Sequence, residues 1–171
     1  TGELWIGGCA VRSITQQFGT PLYLFDELTL RSNAAAYRCG LAAYAGGANA
    51  AYASKALLCT AIAQLIHQEG LELDVVSGGE LYVALHAGFP APRIHFHGNN
   101  KTPDELAAAL AAGVGRIVVD NFHELATLDG LTRERAEPVS VWLRLAPGVQ
   151  AHTHAHIQTG QEDTKFGFSI A

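Results

Sequence analysis

The stretch ANAAYASKALL, Ala48 to Leu58, decides how this chain is read. Asn49 to Ser54 is small, apolar and just long enough for a strand, and Leu57 to Gln68 then shows apolar residues at helical spacing, with Leu58, Ala61, Ile62 and Leu65 on one face. Strand followed by helix puts Lys55 on a βα loop. In barrels of alternating strands and helices the active site collects on those loops, at the C-terminal ends of the strands. A lysine held there among apolar neighbours is expected to be partly desolvated, which favours the neutral amine that attacks an aldehyde. A surface lysine opening a helix would present the same bare pattern, so spacing alone leaves both readings open.

Working outward, the same strand-then-helix unit recurs. Strands are expected near Leu22 to Phe25, Asn49 to Ser54, Glu72 to Val76, Arg93 to His97, Arg116 to Val119 and Val139 to Leu145, with helices between them. The spacing of roughly 20 to 25 residues per unit suits βα units in a parallel sheet. Helix starts support this: Ser77 with Glu80, Thr102 with Glu105 and Asn121 with Glu124 each pair a capping residue with a glutamate three positions on. Pro103 sits where a first helical residue loses nothing by lacking an N–H. Gly70, Gly88 and Gly113 fall where helices should stop. The stretches Ala34 to Ala43 and Leu106 to Ala111 are alanine-rich, which allows close packing but carries no chemistry.

Composition agrees with an α/β protein of the cytoplasm. Hydrophobic residues make up 49% and charged residues 16%, enough to build a core and too apolar for disorder. No apolar run approaches the ~20 residues of a membrane helix, and no basic region followed by an apolar stretch marks a signal peptide. The net charge of -5 argues against a nucleic-acid partner, which would call for clustered Lys and Arg. Cys9, Cys39 and Cys59 are odd in number and form no CxxC, as expected of reduced thiols.

YASKA at 52 to 56, DVVSGGEL at 74 to 81, HFHGNNK at 95 to 101 and WLRLAPGVQAHTHAHIQTGQEDTKFGF from Trp142 to Phe168 together resemble diaminopimelate decarboxylases. The match is collinear from TPLYLFDE at 20 to 27 onward. Those enzymes use pyridoxal phosphate and have an alanine-racemase-like (β/α)8 barrel. The resemblance therefore implies an α/β fold of that type. A complete barrel takes about 250 residues, so only part of it is present, about five barrel strands counted from Asn49 to Ser54. Residues 1–26 would be a lead-in partly belonging to the β-domain of the full enzyme, and 27–171 a partial cofactor-binding barrel.

The resemblance also implies roles. Lys55 would carry pyridoxal phosphate through a Schiff-base link, and the reaction would be decarboxylation of meso-diaminopimelate to L-lysine in a cytoplasmic homodimer. Asp74 matches an acidic residue beside the cofactor in relatives, and Ala53 lies two before Lys55, on its side of the strand. Arg144 sits late in a strand, where a guanidinium could organise the polar edge of the cofactor. His97, with Asn99 and Asn100, closes the following strand and could line the pocket; a hydrogen-bonded turn is the plainer alternative. Lys165 and Phe166 resemble a segment near the dimer interface. The glycine-rich phosphate loop, the acidic partner of the pyridine nitrogen and the substrate-binding segments are expected beyond Ala171, and SGGE at 77 to 80 is read as a helix cap.

Two competing readings remain at this level. Relatives act on arginine, ornithine or carboxynorspermidine, and a fragment could bind the cofactor without turning anything over. His152, His154 and His156 could present three imidazoles on one side of an extended segment, as zinc sites do. No carboxylate or cysteine completes a recognisable motif there, and the stretch matches a histidine-bearing loop that holds no metal in the resembled family, so no metal is expected.

Overall fold

The computed structural model describes residues 2–148 and 165–170. Two compact units divide the chain, Thr1–Ala50 and Ala51–Ala171.

In the first unit, β1 (Trp5–Ile6) and β2 (Cys9–Ala10) form an antiparallel hairpin whose two-residue turn, Gly7 and Gly8, has φ of 57° and 77°. Glycine takes that left-handed geometry without strain. Helix α1 (Val11–Phe18) follows directly and stops at Gly19. Leu22 to Phe25, expected as a strand, is irregular: among the described residues no neighbouring strand pairs with it, and extended backbone becomes a strand only with a ladder partner. It leads into α2 (Glu27–Leu41), capped by Asp26, whose carboxylate accepts from the Leu28 N–H at 3.0 Å and the Thr29 hydroxyl at 2.8 Å.

The second unit is a five-stranded parallel sheet of β3 (Ala51–Ala53), β4 (Glu72–Val75), β5 (Ile94–Phe96), β6 (Arg116–Val119) and β7 (Val141–Leu143). The strands lie side by side in chain order, as in an unrolled barrel wall. Helices α3 (Thr60–Gln68), α4 (Gly78–His86), α5 (Pro103–Ala112) and α6 (Phe122–Thr132) connect them. Each expected barrel strand is present at its place, mostly shortened at the ends.

The side chains of successive strand residues point to opposite faces, and the face away from the helices forms the site. Leu73, Val75, Ile94, Phe96, Ile117 and Val119 are fully buried, in the same core as Ala63, Leu65, Ile66, Leu81, Ala84, Leu106, Ala109 and Leu128 of the helices. Burying each large apolar side chain contributes about 1.5–3 kcal/mol, which fixes the register of β4, β5 and β6. The intervening positions must then face the other way. They are Ala51 and Ala53, Glu72 and Asp74, His95 and His97, Arg116 and Val118, Trp142 and Arg144.

All three expected N-caps are observed. Ser77 accepts from the Glu80 N–H at 3.2 Å, Thr102 from the Glu105 N–H at 3.2 Å and Asn121 from the Glu124 N–H at 2.9 Å. Only Thr102 and Glu105 close the reciprocal box. The stop glycines Gly70, Gly88 and Gly113 have φ of 76°, 78° and 71°. The helix after Lys55 differs from expectation: α3 begins at Thr60, after a 3-10 turn over Ser54–Ala56, and its inner face is Ala63, Leu65 and Ile66, with Ala61 exposed. Leu58 falls before the helix, and of the expected face only Leu65 is buried.

The last expected strand, Val139 to Leu145, is interrupted at Arg144. The Arg144 N–H donates to the Val119 carbonyl at 2.9 Å, while its own carbonyl accepts from the Phe168 N–H at 2.7 Å. Beyond it, β8 (Leu145–Ala146) pairs in parallel with β9 (Phe168–Ser169).

Candidate active site

Alternation and the C-terminal strand ends together form a groove of about 480 Å³ lined by Ala51, Ala53, Asp74, His95, His97, Val118, Trp142, Leu143 and Arg144. Four of the expected site residues, Ala53, Asp74, His97 and Arg144, come together here, in or just past the ends of four different strands. His97 Nδ1 lies 3.1 Å from Asp74 Oδ1, an imidazole–carboxylate pair across neighbouring strand ends. Arg144 donates to Asp120 Oδ1 at 3.2 Å, and its guanidinium lies over the Phe166 ring at 4.3 Å. The other oxygen of Asp120, a residue only 1% exposed, accepts from the Gly167 N–H at 3.1 Å. The arginine that faces the groove is thereby oriented by a buried carboxylate.

Deeper in the groove, His95 Nε2 meets Glu72 Oε2 at 2.5 Å and its ring stacks on Trp142 at 4.9 Å between centroids. Arg116 covers the same indole at 4.7 Å. His95 Nδ1 is buried with no hydrogen-bond partner among the described residues. None of Glu72, His95, Arg116 or Trp142 was singled out as a site residue from sequence.

Lys55 stands apart from this lining. It lies two residues past Ala53 in the 3-10 turn Ser54–Ala56 and is exposed, so the expected partial desolvation does not hold in this chain. What is buried is its neighbour: Ser54, 2% exposed, donates from its hydroxyl to Glu80 Oε2 at 2.5 Å. The same carboxylate oxygen accepts from the Val76 N–H at 2.7 Å. On the other side of the turn the Tyr52 hydroxyl donates to the Leu57 carbonyl at 2.9 Å. Burial pushes that hydroxyl above its usual phenol range, partly offset by its hydrogen bond to Leu57 and reinforced by nearby Cys59, so it remains a donor.

The glutamates in the first turns of α4, α5 and α6 do more than cap. Glu80 reaches back to Ser54, Glu105 Oε1 accepts from the Gly78 N–H at 2.7 Å, and Glu124 Oε1 lies 2.8 Å from Lys101 Nζ in an ion pair. Lys101 also donates to the carbonyls of Gly98 at 2.5 Å and Val118 at 2.9 Å. Each unit is stitched to the one before it, at the end of the sheet where the groove opens. Gly98, at φ 109°, belongs to the same frame: a Cβ there would lie 2.8 Å from the Val76 carbonyl.

Phe166 packs against Arg144, and Lys165 Nζ lies 5.2 Å from the Phe166 ring centroid. The histidines at 152, 154 and 156 lie outside the described residues. Among the described residues, no group of three or more His, Cys, Asp or Glu is placed to hold a metal ion. No helix of the described residues is long and apolar enough to cross a membrane.

Residues 31–171 match the family of pyridoxal-dependent decarboxylases, over their pyridoxal binding domain. The chain belongs to this family. Among curated relatives, the diaminopimelate decarboxylase of Bacillus subtilis is 52% identical over 169 residues, which cover 99% of this chain and 38% of the relative. That of Mycobacterium tuberculosis is 49% identical over 99% of this chain and 37% of its own length. Among solved structures, M. jannaschii diaminopimelate decarboxylase in complex with L-lysine superposes with a TM-score of 0.84 at 33% identity, over 99% of this chain and 40% of that one. The Helicobacter pylori enzyme, also with L-lysine, gives 0.82 at 30% identity, over 92% of this chain and 39% of that one. The chain thus spans under two-fifths of the length of these curated relatives.

The groove suits the family's cofactor on chemical grounds. Its floor at Ala51 and Ala53 is made of the smallest side chains that leave room for a planar ring, and Asp74, His97 and Arg144 offer an acid, an imidazole and a guanidinium around it.

Proposed function

We propose that this chain forms the cofactor-bearing part of a diaminopimelate decarboxylase, which converts meso-diaminopimelate to L-lysine. The observation that carries the reading is the convergence of Ala53, Asp74, His97 and Arg144 on one groove, at the strand ends beside the turn of Lys55. Roughly 50% identity to diaminopimelate decarboxylases along nearly the whole chain supports this substrate over arginine, ornithine or carboxynorspermidine.

In this reading Lys55 holds pyridoxal phosphate covalently. When bound, the cofactor supplies an electron-accepting ring that lets a carboxylate leave the carbon next to the substrate nitrogen. The chain's own residues bind and orient. Ala53 leaves space for the ring, and Asp74 fixes His97 by their 3.1 Å contact, so that the imidazole keeps one orientation towards the groove. Asp120 holds Arg144 in place from behind, aiming a permanent positive charge at the anionic side of the ligand. We further propose that residues 1–26 are a lead-in partly belonging to the β-domain of the whole enzyme and 27–171 its partial barrel. The whole enzyme is read as a cytoplasmic homodimer with a small amino acid as substrate and neither nucleic acid nor membrane as partner.

Borohydride reduction of the full-length protein in the presence of pyridoxal phosphate, followed by peptide mass mapping, tests the assignment. The label is expected on Lys55, and Lys55→Ala should abolish lysine formation from meso-diaminopimelate. Label spread evenly over Lys55 and Lys165 would reduce the site to random surface chemistry.

A further inference from the structure

The lysine that captures the cofactor in the proposed function sits on a turn that cannot hold itself. A 3-10 turn of three residues has few and poorly aligned internal hydrogen bonds, so its geometry depends on outside support. Here the support comes from the following βα unit. Glu80, in the first turn of α4, takes the Ser54 hydroxyl at 2.5 Å and the Val76 N–H at 2.7 Å on a single oxygen. Ser54 directly precedes Lys55, and Val76 follows the strand that carries Asp74. One carboxylate oxygen therefore ties the Ser54 side chain of the lysine turn to the strand end that carries a groove carboxylate.

Helix capping alone does not require this arrangement. Thr102 and Glu105 show what a reciprocal capping box looks like, with the glutamate returning to the backbone N–H of its own cap at 2.8 Å. Glu80 instead passes over its cap and reaches 26 residues back to Ser54. Lys55 itself is exposed on a long, rotatable stem, so the starting point of its amine is set by the backbone beneath it.

We infer that Glu80 is a positioning residue for Lys55, acting through the Ser54 hydroxyl and the Val76 N–H. The inference rests on Lys55 being the cofactor lysine. Capture joins the Lys55 nitrogen to the aldehyde carbon of pyridoxal phosphate with loss of one water, and it needs the amine within reach at the right angle. A loosened turn slows that step without altering the groove.

The test uses full-length protein freed of cofactor. Three quantities are read: the rate of Schiff-base formation with pyridoxal phosphate, the labelled lysine after borohydride reduction, and the affinity for pyridoxamine phosphate, which has no aldehyde and so reports on the groove alone. Ser54→Ala and Glu80→Ala are each expected to slow capture about tenfold, the scale of one lost charge-assisted hydrogen bond. The double variant should be no slower than Glu80→Ala alone, because the Ser54 link is already lost there. Affinity for pyridoxamine phosphate should stay at the parental value, whereas general loosening of the fold would weaken it. Glu80→Gln keeps an oxygen acceptor and should restore most of the rate. If Glu80→Ala does not fold, Ser54→Ala decides, since it removes one oxygen only. A parental capture rate in Ser54→Ala with the label on Lys55 would overturn the positioning role, as would Glu80→Gln behaving like Glu80→Ala. Label absent from Lys55 in the parent would end the cofactor-lysine reading itself, and this inference with it.

Discussion

Lys101 and Glu124 form an ion pair at 2.8 Å with side chains only 1% and 4% exposed, joining the loop after β5 to the first turn of α6. Buried charges of this kind are held by mutual compensation, and removing one partner strands the other. Lys101→Ala should therefore lower unfolding stability by about 3–5 kcal/mol, measured by urea denaturation. Lys101→Ala with Glu124→Ala together should cost less than the sum of the two single changes. Additive losses would mean that the pair contributes nothing as a pair.

The chain has three lysines, at 55, 101 and 165, and they differ in access. Lys55 and Lys165 are exposed, while Lys101 is enclosed by Glu124 and two carbonyls. An amine-directed reagent applied to the native protein without cofactor should modify Lys55 and Lys165 and spare Lys101 until the protein unfolds. Rapid native-state modification of Lys101, read by peptide mass mapping, would contradict the enclosed geometry.

Glu105 links stability to acid. The N–H groups of Thr102 and Gly78 hold its carboxyl below the ordinary value of 4.5, with burial opposing them and Lys101 adding to them. A carboxyl lowered in the folded state stabilises above its unfolded value and loses that contribution as pH falls through the folded one. Stability should thus drop below about pH 4.5 more steeply in the parent than in Glu105→Gln, which no longer titrates there. Parallel curves for the two proteins from pH 5 down would refute the link.

Asp74 and His97 are expected to act as one unit. Asp74→Asn keeps the shape but withdraws the charge that faces the imidazole at 3.1 Å. Affinity of the full-length protein for pyridoxal phosphate should fall in Asp74→Asn and in His97→Ala, and combining the changes should add little beyond the larger single effect. Calorimetric titration reads all three.

The order of strands and helices was legible because each signal was local. Ser77, Thr102 and Asn121 announce helix starts, Gly70, Gly88 and Gly113 announce stops, and both act within a few residues. Leu22 to Phe25 misled because extended character is local while pairing is not. Ala53, Asp74, His97 and Arg144 were found through resemblance, and the alternation of buried Leu73, Val75, Ile94 and Phe96 explains why they face one groove. Glu72, His95 and Trp142 were missed because their roles depend on neighbouring strands. A usable signal existed: Glu72 and His95, and Asp74 and His97, are each 23 residues apart, Asp120 and Arg144 are 24 apart, and this separation is the length of one βα unit. Complementary polar residues one unit apart meet on the same wall, so searching at that interval would have found them.

The back-reaching glutamates have a consequence for mutability. Glu80, Glu105 and Glu124 grip the preceding unit from helix starts, not from the strand positions that face the groove. Alignment of the wall and the chemistry of the groove are thereby carried by separate positions. A side chain facing the groove can therefore be exchanged without cutting the rim contacts that align the strands beneath it.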